Sequence, residues 1–318
     1  LRRLGEDVTE VLDYLPGRFR VLRHVRPKFS CRGCEAVTQA PAPSLPIRRG
    51  RASARLLAHV LIAKYADHLP LYRQSEIYAR AGLDLQRSTL ADWVGHSATL
   101  LRPLLNALAR HVLAGAVLHA DDTPVPVLAP GLGRTSTGRL WAYLRDERPY
   151  GGTTPPAVLY RYSPDRRAEH PKTHLAGFRG VLQADGYTGF DGLYDSGQVQ
   201  EAACWAHVRR HFFELHATGQ APLATEAVRR IGLLYAIEQD ICGQPSDSRA
   251  RQRQARAGPI LDSLRAWLDE TLARVSGRSD LAVAIRYARS RWEALTRYVA
   301  DGRLEIDNNP VERTIRPL

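Results

Sequence analysis

Residues Ala116 to Leu128 read AVLHADDTPVPVL, and this stretch decides the fold. Its apolar and β-branched residues mark a strand, yet strands are depleted in aspartate, and a carboxylate buried without a partner is costly. Asp121 and Asp122 inside such a run therefore require an explanation. Successive strand side chains point to opposite faces, so the pair cannot serve one site together, and alternation alone leaves open which of them faces it. The plain alternative is that the pair ends the strand early and lies in solvent.

Downstream, RLWAYLR (Arg139 to Arg145) and AVLYRY (Ala157 to Tyr162) read as two more strands, giving a meander. RRAEHPKTHLAG (Arg166 to Gly177) is expected to carry a helix. GVLQADGYTGF (Gly180 to Phe190) is a further strand whose apolar run closes on Asp185, and EAACWAHVRRHFFEL (Glu201 to Leu215) is a strand running into a helix. That order predicts a mixed α/β layer. From about residue 221 to 299 the pattern is helical, with Leu281, Ala284, Ile285, Ala288, Trp292, Leu295 and Val299 on one face and Ser279 as a cap. The closing DGRLEIDNNPVERTIRPL begins another helix, with Asn309 at the cap and Pro310 at the first helical position.

Upstream of the strands, Leu57, Val60, Leu61 and Tyr65 recur at helical spacing, as do Leu101, Leu104, Leu105, Leu108 and Val112. Between them SEIYARAGLDLQRSTLADWV (Ser75 to Val94) reads as helix, turn at Gly82, cap at Ser88, helix. This is either a helix-turn-helix DNA reader or an ordinary helical hairpin. The first 50 residues hold a short β-like run, FRVLRHV, then CRGCE at Cys31 to Glu35, then the proline-rich APAPSLP.

The chain has 318 residues, enough for two or more domains. With 45 Lys+Arg against 33 Asp+Glu its net charge is +12, which favours polyanionic partners such as nucleic acid. Arginine dominates; the bias of a GC-rich genome accounts for that choice but not for the excess. No apolar run approaches the roughly 18 residues needed to span a bilayer, and the opening LRRLGEDVTEVLDYLPGR lacks a signal-peptide core. The expectation is a cytoplasmic protein without a membrane partner. Four cysteines make no disulfide framework. The absence of methionine and the opening Leu1 lead us to expect a fragment or processed piece that lacks its original N-terminus.

Three acids stand out by arrangement. Asp121 is on a first strand, Asp185 at the tip of a later one, and Glu312 in the first turn of a helix. Each has a bland reading of its own: Asp185–Gly186 as a turn, Glu312 as the capping-box partner of Asn309. Yet residues so distributed can converge across separations of 64 (185 − 121) and 127 (312 − 185). Phosphodiester chemistry needs such convergence, because two hard cations about 3.5–4 Å apart activate the attacking oxygen and stabilise the leaving one.

LHADDTPVPVL, GVLQADGYTGFDGLY, ACWAHVRRHFFEL and EIDNNPVERTIRPL, in this order, resemble the core blocks of the insertion-sequence-66 transposases. The segment His59 to Gly95 resembles that family's helical region, and VRPKFSCRGCEAVTQAPAP its zinc-finger region, so the resemblance runs from about Gly5 to Leu318. The resemblance implies that part of the C-terminus is lacking here, since the family continues past the motif ending at Leu318, and it implies an α/β fold with an RNase H-like core interrupted by a helical insertion. Its divisions are a partial zinc-finger-like module and linker (1–50), a helical, helix-turn-helix-type DNA-binding region (51–114), the first part of the core (115–216), the insertion (217–299) and the helix bearing the last acid (300–318). Asp121, Asp185 and Glu312 are implied as the acids holding two Mg²⁺ or Mn²⁺ ions. Asp122 falls where the family has a further acid, which favours Asp121, and Glu305 is the weaker alternative for the third position.

The implied reaction is cleavage at transposon ends by activated water, followed by attack of the freed 3′-hydroxyl on target DNA. Implied partners are double-stranded DNA, further copies of the chain as a homo-oligomer, and accessory transposition proteins, at the bacterial nucleoid. Arg209, Arg210, Arg313 and Arg316 suit phosphate contacts, since a guanidinium grips phosphate in two places; the alternative is a solvated helix face. Cys204, Trp205 and His207 match a family block but read as packing residues. Cys31 and Cys34 have zinc-ligand spacing, but two thiolates cannot close a tetrahedral site. His24 is a third candidate that we do not adopt, and zinc is expected only in a complete protein. Two other classes share these features: a DNA-end-binding remnant that does not cut, and a general RNase H-like nuclease such as a junction resolvase.

Overall fold

The computed structural model describes residues 10–12, 17–48, 50–131, 133–217 and 221–317; much of the opening segment read for a signal peptide lies outside them. The chain divides into two compact units, residues 1–105 and 106–318.

In the first unit a hairpin of β1 (Lys28–Ser30) and β2 (Val37–Gln39) is followed by α1 (Ala54–Tyr65) and α2 (Leu71–Arg80). Ser53 caps α1 by accepting from the Leu56 N–H at 3.3 Å. Gly82 makes the expected turn after α2 with φ +81°, where a side chain would be strained. The next helix, α3 (Arg87–Leu113), starts before the expected cap, so Ser88 lies inside its first turn instead of capping it. Val60, Tyr78 and Leu90 form a small core, and buried Gln74 ties it together by donating to the Val60 and Leu69 carbonyls while accepting from the Tyr78 hydroxyl. The leucine stripe expected to be buried along α3 is solvent-facing at Leu101 and Leu104 and enters a core only near Ala109 and Val112.

The second unit is built on a five-stranded sheet. The expected meander is present as β3 (Val117–Ala129), β4 (Arg134–Arg145) and β5 (Ala157–Ser163), all antiparallel. After a short α4 (Glu169–His174), β6 (Gly180–Ala184) pairs parallel with β3; α5 (Asp191–Tyr194) then leads to β7 (Val199–Ala203), parallel with β6. The strand order is β5-β4-β3-β6-β7. Both faces are covered, because neighbouring residues of one strand enter different cores. Val117 and Val181 join Trp205, Ile231 and Leu261 on one side, while Leu118 and Leu182 join Trp141, Tyr143 and Phe190 on the other.

Helices α6 (Trp205–His216), α7 (Pro222–Ile241), α8 (Ser246–Arg274), α9 (Asp280–Ser290) and α10 (Trp292–Ala300) follow, before α11 (Asn309–Ile315). The unit is thus a mixed α/β layer with a helical insertion. The apolar face expected over 281–299 is packed, with Ser279 capping as expected, but it belongs to two helices broken at Arg291. The last helix is capped one residue earlier than expected: Asn308 is the cap, Asn309 the first position and Pro310 the second. Among the described residues no helix is long and apolar enough to cross a membrane.

Candidate active site

The parallel register Val117↔Val181, Leu118↔Leu182, His119↔Gln183, continued two rungs, sets Asp121, within β3, beside Asp185, the residue directly after β6. Asp185 sits at a tight turn. Its Oδ1 accepts from the Tyr187 N–H at 3.0 Å, and Gly186 has φ +84°, with the Arg291 guanidinium filling the space a Cβ would need. The helical insertion braces this turn: Arg291 donates to the Gly186 carbonyl at 2.8 Å and to Glu201 at 2.6 Å, and the Tyr287 hydroxyl donates to the Asp185 carbonyl at 3.1 Å.

Glu312 is delivered by α11, which is stapled to the same strands. Asn308 is fully buried; its Nδ2 donates to the Ala120 carbonyl at 2.8 Å, its Oδ1 bonds the His119 ring at 3.0 Å, and its N–H donates to the Cys204 sulfur at 3.2 Å. One rung away, the Gln183 amide exchanges two 2.8 Å bonds with the backbone of Glu305. At the far end Tyr160 donates to the Thr314 carbonyl, while Val311 packs on Ala142 and Leu144. The Asn309 N–H is satisfied by Asp307 at 3.0 Å, so the helix start has its own cap and the capping-box reading of Glu312 is superseded.

A cavity of about 280 Å³ is lined by Asp121, Asp122, Thr123, His207, Arg210, Glu312, Ile315 and Arg316. Asp185 does not line it, but its charge acts there. Burial above all, with smaller contributions from the charges of Asp185, Glu312 and Asp122, pushes the Asp121 carboxyl up to about 7 against the Asp122 N–H, which favours its ionised form. The His207 imidazole is held below its ordinary range by burial, with Asp185 and Glu312 pulling the other way. Its Nδ1 is buried and finds no hydrogen-bond partner among the described residues.

The neighbouring Asp122 differs entirely. Arg166 approaches its Oδ1 at 2.8 and 3.0 Å, and Arg139 lies 3.1 Å from its Oδ2. Glu305 is likewise paired, at 2.7 Å from Arg249. The two weaker alternatives for the acid trio are therefore neutralised by arginine, whereas Asp121 faces other acids. Arg210 and Arg316 line the acid cavity; Arg209 lines a neighbouring cavity of about 300 Å³ with Tyr235 and Asn309; Arg313 is exposed.

The donor chemistry of the trio fits a hard divalent cation: three carboxyl groups offer oxygen donors, and positive charge relieves the repulsion between their ionised forms. Its spacing is open, since among the described residues no three His, Cys, Asp or Glu side chains stand close enough to clasp an ion. Cys31 and Cys34 occupy the turn between β1 and β2, both exposed, and N–H groups of Gly33 and Cys34 hold the Cys31 thiol below its ordinary range. Two thiols are half of a tetrahedral zinc set.

Sequence reading missed His119, Asn308, Arg166, Tyr187 and Arg291. The first two carried a weak signal, a histidine on an apolar strand two residues before an acid and a doubled asparagine before a helix. Nothing local marks the others.

Residues 49–318 match the profile described as Transposase IS66 family, and residues 1–35 that of the zinc-finger binding domain of transposase IS66. Among curated relatives, the uncharacterized protein y4qI of Sinorhizobium fredii (strain NBRC 101917 / NGR234) is 45% identical over 321 residues, covering 99% of this chain and 60% of the relative. The uncharacterized protein y4hP of the same strain is 42% identical, again over 99% of this chain and 60% of its own length. The chain thus spans about 60% of the length of these relatives.

Proposed function

Because the chain belongs to the IS66 transposase family, we propose that it is the DNA-cutting and strand-joining part of such an enzyme, with Asp121, Asp185 and Glu312 as the metal-binding acids of an RNase H-like core. One observation carries the reading: Asp121 and Glu312, far apart in sequence, line one cavity, and the register of β3 on β6 brings Asp185 beside Asp121. The strand order β5-β4-β3-β6-β7, with Asp121 on β3 and Asp185 directly after its parallel neighbour β6, supports the fold assignment.

Asp121, Asp185 and Glu312 would hold two Mg²⁺ or Mn²⁺ ions, whose chemistry would be to activate an attacking water or DNA 3′-hydroxyl and to stabilise charge on the leaving oxygen. The chain's own groups do the rest. Asp121, its carboxyl raised by burial, would have to be ionised to hold a cation; the Tyr187 N–H keeps one Asp185 oxygen fixed, and the Asn308 staple fixes the helix that carries Glu312. Arg210 and Arg316, on the cavity wall, are suited to the DNA backbone on either side of the cut, with Arg209 and Arg313 extending the basic surface. Pairing of two DNA ends implies a homo-oligomer, and Cys31 with Cys34 supplies half of a zinc site.

The test is cleavage of duplex DNA carrying the ends of the element, with Mg²⁺ or Mn²⁺, by the wild type and Asp185→Asn. The expected loss is at least about 100-fold, with DNA binding retained. Equal cutting by the substituted protein rejects the assignment. A second reading, an end-binding protein that does not cut, is favoured by the open spacing of the acids; binding without cutting by the wild type supports it, and cutting of unrelated duplexes supports a general nuclease.

A further inference from the structure

Asp122 lies beside a proposed metal-binding acid, yet its side chain is only 3% exposed and it serves two arginines. Arg166, from the loop between β5 and α4, places Nε and Nη2 at 3.0 and 2.8 Å from Asp122 Oδ1. Its guanidinium also lies 4.2 Å from the centre of the Tyr187 ring, and the Tyr187 hydroxyl donates to the Arg166 carbonyl. Two anchors therefore fix the group, Asp122 at its edge and an aromatic ring on its face. The same Nη2 stands 3.7 Å from Asp185 Oδ2, beyond hydrogen-bond length but at ion-pair distance.

We propose that Arg166 is the resident counter-cation of the acid pocket: held by Asp122 and Tyr187, it neutralises Asp185 and competes with the divalent ion for that carboxylate. The inference rests on the reading of Asp185 as a metal-binding acid. Its physical basis is that a guanidinium and a divalent cation on one half-buried carboxylate repel each other strongly where the effective dielectric is low. The competitor is built in, because Asp122 and the Tyr187 ring hold the guanidinium in place whether or not Asp185 is engaged. A DNA phosphate offers that guanidinium a new acceptor of matching geometry, so the repulsion falls when substrate arrives.

The test measures Mn²⁺ binding to the full chain without DNA, by calorimetry or by the electron paramagnetic resonance of free Mn²⁺. Arg166→Gln is expected to bind Mn²⁺ about tenfold more tightly than the wild type, which corresponds to about 1.4 kcal/mol. Arg166→Lys, which keeps the charge, is expected to stay within about twofold. Should Arg166→Gln fail to fold, the double variant Asp122→Asn/Arg166→Gln removes both charges together and is held to the same tenfold expectation. If Asp185→Asn weakens binding while the Arg166 variants bind like the wild type or more weakly, the counter-cation inference is overturned and the pocket stands. If Asp185→Asn binds Mn²⁺ unchanged, the pocket assignment fails and takes this inference with it.

Discussion

The second unit holds two clusters of acids in opposite states. At the edge of the helical insertion, Glu238 of α7 and Glu305, between α10 and α11, meet Arg249 and Arg253 of α8, two arginines almost wholly buried. Arg253 grips Glu238 with two bonds of 2.8 and 2.6 Å and donates to the carbonyls of Tyr298, Asp301 and Leu304, and Arg249 holds Glu305 at 2.7 Å and the Gly302 carbonyl at 2.9 Å. In the pocket Asp121 meets Asp185 and Glu312 instead. Both clusters shape the chain around α11. The difference teaches that a compensated acid holds structure together, while acids left to face one another store repulsion that a proton or a cation must relieve.

The largest expected effect lies in the compensated cluster. Arg253→Met leaves Glu238 without its main partner and frees three carbonyls, so unfolding free energy is expected to fall by about 3–5 kcal/mol in chemical denaturation. A loss under about 1 kcal/mol breaks the contrast from that side.

Next comes a paired test of the two candidate third acids. Glu312→Gln is expected to lower cleavage of element-end DNA at least about 100-fold with little change in stability, whereas Glu305→Gln stays within about threefold. Equal losses erase the distinction between the clusters.

The pH dependence follows from Asp121. Its folded pKa of about 7 stands above the ordinary 3.8, so between those values the native protein binds more protons than the unfolded chain. The stabilising contribution is full below about pH 4 and is lost as pH rises through about 7, on the order of 2 kcal/mol after allowing for partial exposure. Asp121→Asn is expected to flatten that slope in ion-free denaturation curves, and Mn²⁺ to restore stability at the alkaline end of the wild-type curve. Glu305→Gln should keep the share of the slope due to Asp121, losing only what the Glu305 carboxyl, itself raised by burial, adds.

Smallest is Tyr160→Phe, which removes the bond to the Thr314 carbonyl at the end of α11. About 1 kcal/mol is expected, read as faster hydrogen exchange in that helix.

Much of the fold was legible because periodicity is a local property. The three-strand meander, the strand closing on Asp185 and the packed face of 281–299 all follow from spacing. Local rules failed where two signals overlapped. Ser88 looks like a cap, but α3 begins before it; Asn309 looks like a cap, but Asp307 satisfies its N–H and Asn308 takes the capping position. Arg291 breaks an apparently continuous helix, and its guanidinium fills the space beside Gly186, a contact 105 residues distant in sequence.

The sequence by itself determined the order of elements, the basic balance and the short set of acids from which a site is drawn. Which acids face one another was decided only by tertiary structure. Asp121 and Asp122 are adjacent and chemically identical; the register of β3 on β6 and the position of Arg166 make one a member of a repelling trio and the other an arginine anchor. The reason is physical: a carboxylate's state depends on charges within a few ångströms, and here those charges come from residues tens to hundreds of positions away.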